Sequence, residues 1–567
     1  MESTDSRIIP ATASMQKNHN WPFLELKNES KSDLDKISTT QGEKERCKMN
    51  LGTLFDFAVG RYPNHIALVQ DQKRYTYVQL QQEIEKIAAS LQRLGIQKQD
   101  RVVVILKNRV ENVIIYWALQ KLGAIYTPLN DRLSTKEVEY CVNDAEAKAV
   151  VYESASQNAV LGSNFSERPI LIGDENYIGV DISYPELVDR SPGSYQKPTL
   201  DENDISIMLY TSGTTGRPKG VPRTHRNEYA SAMAHIVQNQ YQLWESTLGV
   251  MPLYYTMGVR SLLTMALLNG KIVILPDFDS GDAFEIIYRE RISSLYLIPT
   301  LYHDMLTHPD FNKYDLSKLE KVGYAGAAMT TSLVNQCVKL LKPKVFVNHY
   351  GSTEVYTFSI CPNVSEKPGS VGKPGIHQNL RVVKADPDGR STPEDIVGKE
   401  EIGEIISNLD SDEAFKGYWN RPDATVKAMR NGWYFTGDIG FLDEDGDLFV
   451  VGRLDDMIIS EGENIHPLEI EDCLSQHPNV LEAIVIGEQD DRLGQIVSAY
   501  IVSKNETVTA QELDEFCKRY PNMSNYKRPR KYTFVKEMPK SPVGKILRRK
   551  LREGDFEALQ NQSDSVG

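Results

Sequence analysis

Residues 205–220 read ISIMLYTSGTTGRPKG, an apolar run followed at once by a loop of glycines and small hydroxyl residues. The run Ile205–Leu209 predicts a buried strand, and the loop after it predicts a flexible turn. Amides and hydroxyls of such a loop can wrap phosphate oxygens, and Lys219 adds a positive charge. The spacing of a Walker loop, Gly-x-x-x-x-Gly-Lys-Ser/Thr, is absent. The stretch therefore predicts a phosphate-binding loop of another kind.

Short apolar, β-branched runs alternate with stretches of helical periodicity from Leu51 onward. Strands of this composition are typical of parallel sheets that are buried on both faces. We therefore predict α/β units with largely parallel strands. The predicted strands are Val102–Leu106, Ala149–Tyr152, Ile205–Tyr210, Ile272–Leu275, Ser294–Ile298, Lys321–Tyr324 and Val345–Asn348.

A different pattern begins after about Ile402, where short predicted strands alternate with turns. Alternating apolar residues flank the acidic segment Asp443–Asp447, which contains Gly446, and this pattern predicts a hairpin. Past Arg453 the pattern predicts a compact α+β region. Its predicted helices lie near Pro467–Gln476 and Ala510–Lys518, and its predicted strands lie near Glu482–Ile486 and Ile496–Val502.

These patterns divide the chain into four segments. Residues 1–48 are polar and are expected to form a flexible tail. Residues 49–453 are predicted to form a large α/β N-terminal domain of layered sheets and helices. Residues 454–556 are predicted to form a small α+β C-terminal domain, and residues 557–567 a second flexible tail.

Composition excludes several classes of protein. The 567 residues carry 64 Lys plus Arg against 78 Asp plus Glu, and the net charge of −14 argues against a protein that coats duplex DNA. Six scattered cysteines, with no CxxC, indicate neither a disulfide framework nor a zinc site. We find no run of about 18 apolar residues and no secretory signal. A cytoplasmic location is expected.

The segment Lys527–Arg552 departs from the acidic average, because it holds eleven basic residues and one acidic residue, Glu537. Two interpretations are open. The segment is either a solvated basic surface or a site for a polyphosphate ligand.

The loop Tyr210–Gly220 resembles the phosphate-binding signature of the acyl-adenylate-forming superfamily, which includes acyl-CoA and aryl-CoA synthetases. Five further motifs match that superfamily in the same order, over about residues 50 to 555, and their overall character is most similar to 4-chlorobenzoate-type aryl-CoA ligases. The motifs are LQKLGAIYTPLN (119–130), NHYGSTE (348–354), YFTGD (434–438), GRLDDMIISEGENIHPLEIE (452–471) and PKSPVGKILRRKL (539–551).

The resemblance implies an ATP site whose residue types suit their roles. Asp438 is an acceptor-only carboxylate that can bind both hydroxyls of a ribose, and Arg453 adds a donor fork. By resemblance Tyr350 lies against the adenine and Thr353 approaches the α-phosphate. The implied ATP-binding residues are Thr211, Ser212, Gly213, Thr214, Thr215, Gly216, Lys219, Gly326, Ala327, Tyr350, Gly351, Thr353, Asp438 and Arg453.

The resemblance also implies catalytic groups. Transfer of adenylate to a carboxylate brings negative groups together, so a mobile ammonium and Mg²⁺ are needed to neutralise them. Lys545 is the implied ammonium, and Glu354 and Thr214 are implied to act in catalysis and to hold the metal. The C-terminal domain is implied to be a mobile lid that rotates about a hinge at Asp455.

Three residues near the C-terminus, Tyr526, Arg528 and Arg530, match the CoA-binding segment of aryl-CoA ligases. The acyl pocket is implied to be formed by Tyr255, Met257, Gly258, Ala325, Gly326, His349 and Ser352. Many relatives carry His where this chain has Tyr255, and Glu461 stands where relatives usually have a small residue. Two interpretations are open for four tyrosines. They either line a pocket for a flat substrate ring or are core aromatics: Tyr254, Tyr255, Tyr350 and Tyr356.

The predicted function is an acid–thiol ligase that uses MgATP and CoA through an acyl-adenylate. The resemblance favours an aromatic, heteroaromatic or small cyclic acid. No Asp follows Pro252, where amino-acid-activating domains place one, so an amino acid substrate is disfavoured. The alternatives are an enzyme that loads a carrier-protein thiol, a medium-chain fatty acyl-CoA synthetase, and a non-catalytic nucleotide binder.

Overall fold

The structure of the protein, a computed structural model, describes residues 49–175, 179–211, 217–386, 389–460, 463–490, 492–505, 508–520, 523–540 and 546–565. The predicted N-terminal tail, 1–48, lies outside the described residues. Among the described residues, no helix combines the length and the apolar character that crossing a bilayer requires.

Helices and strands alternate through most of the described chain. The helices are α1 Leu51–Arg61, α2 Tyr77–Arg93, α3 Val110–Leu122, α4 Thr135–Asp144, α5 Gln157–Leu161, α6 Tyr184–Asp189, α7 His225–Gln238, α8 Thr256–Leu267, α9 Ser280–Glu290, α10 Pro299–Thr307, α11 Thr331–Leu341, α12 Pro422–Ala428, α13 Pro467–Ser475, α14 Ala510–Arg519 and α15 Arg548–Arg552. The strands are β1 Ile66–Gln70, β2 Lys73–Thr76, β3 Arg101–Ile105, β4 Ile125–Pro128, β5 Ala149–Tyr152, β6 Ile170–Gly173, β7 Ile182–Ser183, β8 Ile205–Thr211, β9 Lys219–Thr224, β10 Ser246–Gly249, β11 Lys271–Ile274, β12 Ser294–Leu297, β13 Lys321–Tyr324, β14 Val345–Tyr350, β15 Ser359–Cys361, β16 Ser370–Pro374, β17 Leu380–Val383, β18 Gly403–Asn408, β19 Met429–Arg430, β20 Trp433–Leu442, β21 Leu448–Arg453, β22 Ile458–Ser460, β23 Glu463–Ile465, β24 Val480–Asp490, β25 Gly494–Ser503, β26 Lys531–Val535 and β27 Ala558–Ser565.

The strands form three sheets. The first has the order β17-β18-β20-β21-β16-β15-β14-β13-β12-β10-β11-β1-β2, and β19 pairs with β20. Within it, β14, β13, β12, β10, β11 and β1 run parallel, whereas the strands from β15 onward pair antiparallel. The second sheet has the order β7-β6-β5-β3-β4-β8-β9, with antiparallel pairing only between β8 and β9.

The predicted strands of the α/β region are confirmed. Each coincides within two residues with one of β3, β5, β8, β11, β12, β13 and β14. Their uniformly apolar composition has the expected cause: all four residues of β5 are buried, because helices cover both faces of the parallel sheet. β8 and β9 form a hairpin in which Thr211 pairs with Lys219.

The predicted hairpin at Asp443–Asp447 is also confirmed, because β20 and β21 pair antiparallel on either side of it. The turn is closed by the Gly446 amide, which donates to the Asp443 carbonyl at 3.0 Å. The Lys367 ammonium lies 2.5 Å from Asp443 and 2.9 Å from both Asp445 and Asp447. One lysine thus neutralises the three carboxylates of the turn.

The third sheet contains only strands that follow Ile458, in the order β23-β22-β25-β26-β27, with β24 paired to β25. Helices α13 and α14 cover a separate apolar core that includes Ile470, Leu513 and Phe534. The predicted helices and strands of this region are confirmed. The prediction that residues 557–567 form a flexible tail is wrong for β27, which pairs with β26 through its backbone. An open edge strand can bind a polar segment without needing apolar side chains.

A buried ion pair connects the first two sheets. Arg223 on β9 is fully buried, and its Nε donates to Glu228 Oε1 of α7 at 2.6 Å. Its Nη2 donates to the Ser231 hydroxyl at 3.2 Å. The guanidinium carbon lies 3.6 Å from the ring centroid of Tyr356, whose hydroxyl donates to Glu228 Oε2 at 3.0 Å. Both charges of the pair are therefore hydrogen-bonded on several sides, as burial requires.

The same guanidinium binds the main chain of two loops that follow strands of the first sheet, β14 and β18. Arg223 Nη1 donates to the carbonyl oxygens of Thr353, Glu354 and Glu413 at 3.3, 3.2 and 2.9 Å. The loop after β14 is thus fixed to β9 of the second sheet by side chain to backbone hydrogen bonds.

Replacing Glu228 by Gln should destabilise the fold strongly, because it leaves the buried Arg223 charge without its carboxylate. We expect the free energy of unfolding to fall by about 3–5 kcal/mol. The measurement is urea denaturation followed by fluorescence. As a control, Glu202→Gln breaks the exposed pair with Arg226 and should cost below about 1 kcal/mol. Similar costs for both variants would contradict the structural role of Arg223.

Candidate active site

The loop after β14 begins with a turn that only glycine fits. A Cβ atom on Gly351 would lie 2.0 Å from the carbonyl oxygen of Tyr356. The chain therefore folds back tightly on itself, and Tyr350, Thr353 and Glu354 are held at one edge of the sheet. This is the carboxyl edge of parallel strands β13 and β14, where open α/β sheets bind ligands.

Three predicted nucleotide-binding residues form a hydrogen-bonded chain at this edge. The Tyr350 hydroxyl donates to Asp438 Oδ2 at 2.6 Å, and Arg453 Nη1 donates to Asp438 Oδ1 at 2.7 Å. Asp438 and Arg453 face each other across the β20–β21 hairpin. Burial raises the pKa of the Tyr350 hydroxyl well above its usual range, and Asp438 raises it further. Tyr350 is therefore a proton donor to a fixed carboxylate.

Arg453 remains partly open to solvent, with 42% of its side chain exposed. Burial by itself lowers the pKa of its guanidinium, but the Asp438 carboxylate outweighs this and the pKa is raised. The Arg453–Asp438 pair thus presents both donors and acceptors at the site surface, which suits a ligand with hydroxyl groups.

Glu354 and Lys219 are joined through Tyr418, a residue that none of the sequence motifs contains. Glu354 is 6% exposed, and its Oε1 accepts a hydrogen bond from the Tyr418 hydroxyl at 2.6 Å. Lys219 Nζ lies 4.1 Å from the ring centroid of Tyr418. Burial lowers the pKa of the Lys219 ammonium, and Glu354 opposes this only in part. Tyr418 stands 64 residues from Glu354, so no local pattern connects the two.

Glu354 is suited to a metal ion, because a carboxylate oxygen is a ligand that Mg²⁺ prefers. Its Oε1 is oriented by Tyr418, and among the described residues its Oε2 accepts no hydrogen bond. The other predicted metal ligand, Thr214, lies outside the described residues. So do the predicted loop residues Ser212, Gly213, Thr215 and Gly216, the predicted catalytic Lys545, and Glu461.

The predicted acyl-pocket segment before Gly258 packs closely. A Cβ atom on Gly258 would lie 2.3 Å from the carbonyl oxygen of Pro252. Met257 is buried, and the half-buried rings of Tyr254 and Tyr255 lie side by side with centroids 4.6 Å apart. Burial raises the pKa of both hydroxyls. Part of each ring thus remains open to solvent.

The turn after β13 lies on the same edge of the sheet as Gly351. Ala325 is buried, whereas Gly326 and Ala327 are exposed, and Gly326 has a φ of 86°. Ser352 is half-buried, and its hydroxyl accepts from the Val355 amide at 3.3 Å. The structure therefore brings these predicted ligand contacts next to the Tyr350–Glu354 loop.

Two other predicted pocket residues are held within the protein core. His349 is 2% exposed, its Nε2 lies 3.0 Å from Asn239 Nδ2, and burial lowers its pKa well below the usual range. Tyr356 is committed to Glu228 through its hydroxyl. Tyr356 is thus a core aromatic, whereas the Tyr350 hydroxyl is hydrogen-bonded to Asp438.

The basic segment Lys527–Arg552 is largely paired with acidic side chains. Arg528 binds the buried Asp514, and Lys527 binds Glu469 at 2.8 Å. Of the predicted CoA set, Tyr526 is exposed and Arg530 is partly exposed. Arg528 contacts Asp514 through Nη1, whereas its Nε is buried and makes no hydrogen bond. Other pairs are Lys531–Glu488, Lys536–Glu557, Lys540–Glu482, Arg548–Glu471, Arg549–Glu553, Lys550–Asp555 and Arg552–Asp456.

The predicted hinge residue, Asp455, is exposed in the short 3₁₀ turn Leu454–Asp456. This turn connects β21 of the first sheet to β22 of the third.

Comparison with known proteins agrees with the motifs. The sequence model of the AMP-binding enzyme family matches residues 55–419, and that of the AMP-binding enzyme C-terminal domain matches residues 469–545. A long-chain-fatty-acid–CoA ligase of Mycobacterium tuberculosis is 32% identical, over 85% of this chain and 93% of its own. A 2-succinylbenzoate–CoA ligase of Bacillus cereus is 30% identical, over 87% of this chain and 96% of its own.

Among solved structures, an anthranilate CoA ligase in complex with anthranoyl-AMP matches with a TM-score of 0.82 and 26% identity. The match covers 91% of this chain and 99% of that protein. The chain therefore belongs to the AMP-binding enzyme family, within the acyl-adenylate-forming superfamily that its motifs resemble.

Proposed function

We propose that the protein is an AMP-forming carboxylic acid–CoA ligase. A carboxylate oxygen attacks the α-phosphorus of ATP, pyrophosphate leaves, and an acyl-adenylate forms. The sulfur of CoA then attacks the acyl carbon, and AMP leaves with the original carboxylate oxygen. The observation that carries the proposal is the chain Tyr350–Asp438–Arg453, which lies at the same sheet edge as Glu354. The relatives that match over most of the chain are named as CoA ligases.

The geometry suits an adenosine phosphate. The Tyr350 ring offers an aromatic face for adenine, while its hydroxyl fixes Asp438 to accept from the ribose hydroxyls. Arg453 donates to the same sugar and towards the phosphates. Thr353 follows two residues after the Gly351 turn, where its hydroxyl can approach the α-phosphate. Lys219, at the start of β9, adds positive charge next to the predicted loop.

Mg²⁺ would be held by Glu354, with Thr214 as the second protein ligand, and it supplies neutralisation of charge on the phosphates. Tyr418 keeps the Glu354 carboxylate in one orientation through its short hydrogen bond. Lys545 bridges the acyl carboxylate and the α-phosphate in the first step. For the second step, rotation about Asp455 replaces Lys545 by the loop Gly462–Asn464, which then lines the thiol channel.

The acid is proposed to be aromatic, heteroaromatic or small and cyclic, because the rings of Tyr254 and Tyr255 offer flat walls. A carrier-protein thiol is kept as a second acceptor for one reason: Asp514 already occupies Nη1 of Arg528, which leaves fewer donors for a CoA phosphate. A carrier-protein thiol needs less of that contact.

The test is pyrophosphate release with MgATP over benzoate, halobenzoates, furoate, cyclohexanecarboxylate and C4–C12 fatty acids, with and without CoA. A CoA-dependent aryl or cyclic thioester, seen by mass spectrometry, is the expected result. Acyl-adenylate without thioester would favour a carrier protein as the acceptor. The absence of pyrophosphate release with every acid would contradict the ligase proposal.

Replacing Lys545 by Ala should separate the two steps. Acid-dependent pyrophosphate exchange should fall by about 100-fold or more, because the charge on the reacting groups is no longer neutralised. Thioester formation from a supplied acyl-adenylate should remain. The control Lys536→Ala removes an exposed lysine of the same segment and should change neither step. Equal loss of both steps in Lys545→Ala would contradict the two-step assignment.

Nucleotide binding should depend on pH through Lys219. Its pKa is lowered by burial, so it loses its proton at a lower pH than an ordinary lysine. The phosphates of ATP favour the protonated form, so binding should take up protons at alkaline pH and weaken as pH rises. Calorimetry in buffers of different ionisation enthalpy measures this uptake. Lys219→Arg should abolish it, since arginine stays protonated. Unchanged uptake in that variant would exclude Lys219 as the source.

A further inference from the structure

A cluster of buried polar side chains adjoins the Tyr350–Glu354 loop. The proposed function gives these side chains no chemical role. We name it the Arg260 cluster after its residue on α8. It adjoins the acyl side of the site, because Arg260 follows Gly258 by two residues and His349 directly precedes Tyr350. Its members are His235, Asn239, Arg260, Tyr296, His349 and Tyr356.

Arg260 is 2% exposed, yet part of its guanidinium has no partner. Its Nε and Nη2 make no hydrogen bond. These two nitrogens form one edge of the planar guanidinium, and this edge receives a carboxylate side-on through two parallel N–H···O bonds. The Tyr356 ring lies on another side, with its centroid 5.0 Å from the guanidinium carbon. The unpartnered edge is therefore shaped for a bidentate anion.

No described acidic side chain forms an ion pair with Arg260. Glu228 is committed to Arg223 and Tyr356. Glu413 is engaged through Oε1 with His377 at 3.3 Å, although its Oε2 makes no hydrogen bond. A buried guanidinium without a paired anion is costly, so the site favours a ligand that brings a negative charge.

A neighbouring histidine adds an unpartnered ring nitrogen. His349 Nε2 lies 3.0 Å from Nδ2 and 3.2 Å from Oδ1 of Asn239, and the ring tautomer decides which of the two it bonds. Nδ1 is buried and makes no hydrogen bond. Burial, reinforced by the charge of Arg260, lowers the pKa of His349 and keeps the ring neutral. Arg260 thus supplies two unpartnered donors, and one unpartnered ring nitrogen of His349 belongs to the same cluster.

We propose that Arg260 determines specificity by binding a second carboxylate, at the end of the substrate opposite the reacting carboxyl group. The substrate is then a compact dicarboxylic acid, of which one carboxyl group is adenylated and the other stays ionised against the Nε and Nη2 edge. This inference rests on the proposed ligase function and narrows its substrate class. No covalent step is added.

The test compares each diacid with a matched acid that lacks the second charge. The probes are the three benzenedicarboxylates and the 1,2-, 1,3- and 1,4-cyclohexanedicarboxylates, each beside its monomethyl ester, which keeps one reactive carboxyl group. We measure kcat/KM for acid-dependent pyrophosphate exchange. At least one diacid should exceed its ester by about 30-fold or more, the cost of leaving a buried charge unpaired.

Variants of Arg260 should lower this ratio. Arg260→Met should bring the ratio of the preferred diacid to its ester close to one, and Arg260→Lys should give an intermediate ratio, because a lysine cannot form two parallel bonds. The matched control Arg226→Met removes an exposed arginine of the adjacent α7 and should leave the ratio unchanged. A rise in melting temperature with ATP checks that each variant is folded. If Arg260→Met does not fold, the diacid-to-ester ratio of Arg260→Lys is the deciding measurement.

The outcomes separate this inference from the ligase proposal. Exchange that is equal for diacids and esters, or an unchanged ratio in the folded variant, overturns the role of Arg260 and leaves the ligase function standing. Pyrophosphate exchange with monocarboxylic acids but not with diacids would likewise overturn the role of Arg260 and leave the ligase function standing. No exchange with any acid, diacids and monocarboxylic acids alike, overturns both.

Discussion

The buried guanidinium of Arg223 is the interaction on which the site depends. It joins β9, which begins at the predicted phosphate loop, to the backbone of Thr353 and Glu354 in the loop that follows β14 of the other sheet. A buried charge must be hydrogen-bonded on nearly every side, so its position tolerates little variation. Glu228 balances the charge, and both residues are fully buried. The two halves of the nucleotide site are therefore fixed to one another before any ligand arrives, which is how binding sites avoid ordering costs.

The loop after β14 separates two kinds of chemistry. On one side, Tyr350 reaches Asp438 and Arg453, a partly exposed set of donors and acceptors suited to a sugar and phosphates. On the other side, His349 and Arg260 form a buried polar environment, and two nitrogens of Arg260 make no hydrogen bond. Because adjacent residues of a strand point to opposite faces, Tyr350 and His349 can serve the two sides from consecutive positions. The Gly351 turn keeps both sides close to the reacting centre.

Much of this arrangement follows from local patterns. The apolar runs predicted β3, β5, β8 and β11–β14, and the acidic turn predicted the β20–β21 hairpin, because strand burial and turn chemistry are short-range properties. The motifs also identified Tyr350, Asp438 and Arg453. Their partners could not be predicted in the same way: Tyr418 contacts Glu354, Arg223 contacts the backbone of Thr353, and Arg260 contacts the ring of Tyr356, all far away in sequence. The basic segment was ambiguous for the same reason, since its acids come from other segments. The strand β27 was missed because backbone pairing at a sheet edge leaves no hydrophobic pattern.

The acyl-adenylate is the central claim, and an isotope label tests it most directly. The acid that best supports pyrophosphate exchange is labelled with ¹⁸O in its carboxyl group and incubated with MgATP and CoA. If a carboxylate oxygen attacks the α-phosphorus, the released AMP must carry one ¹⁸O atom while pyrophosphate carries none. Label in orthophosphate with release of ADP, or thioester formation without label in AMP, would contradict the account.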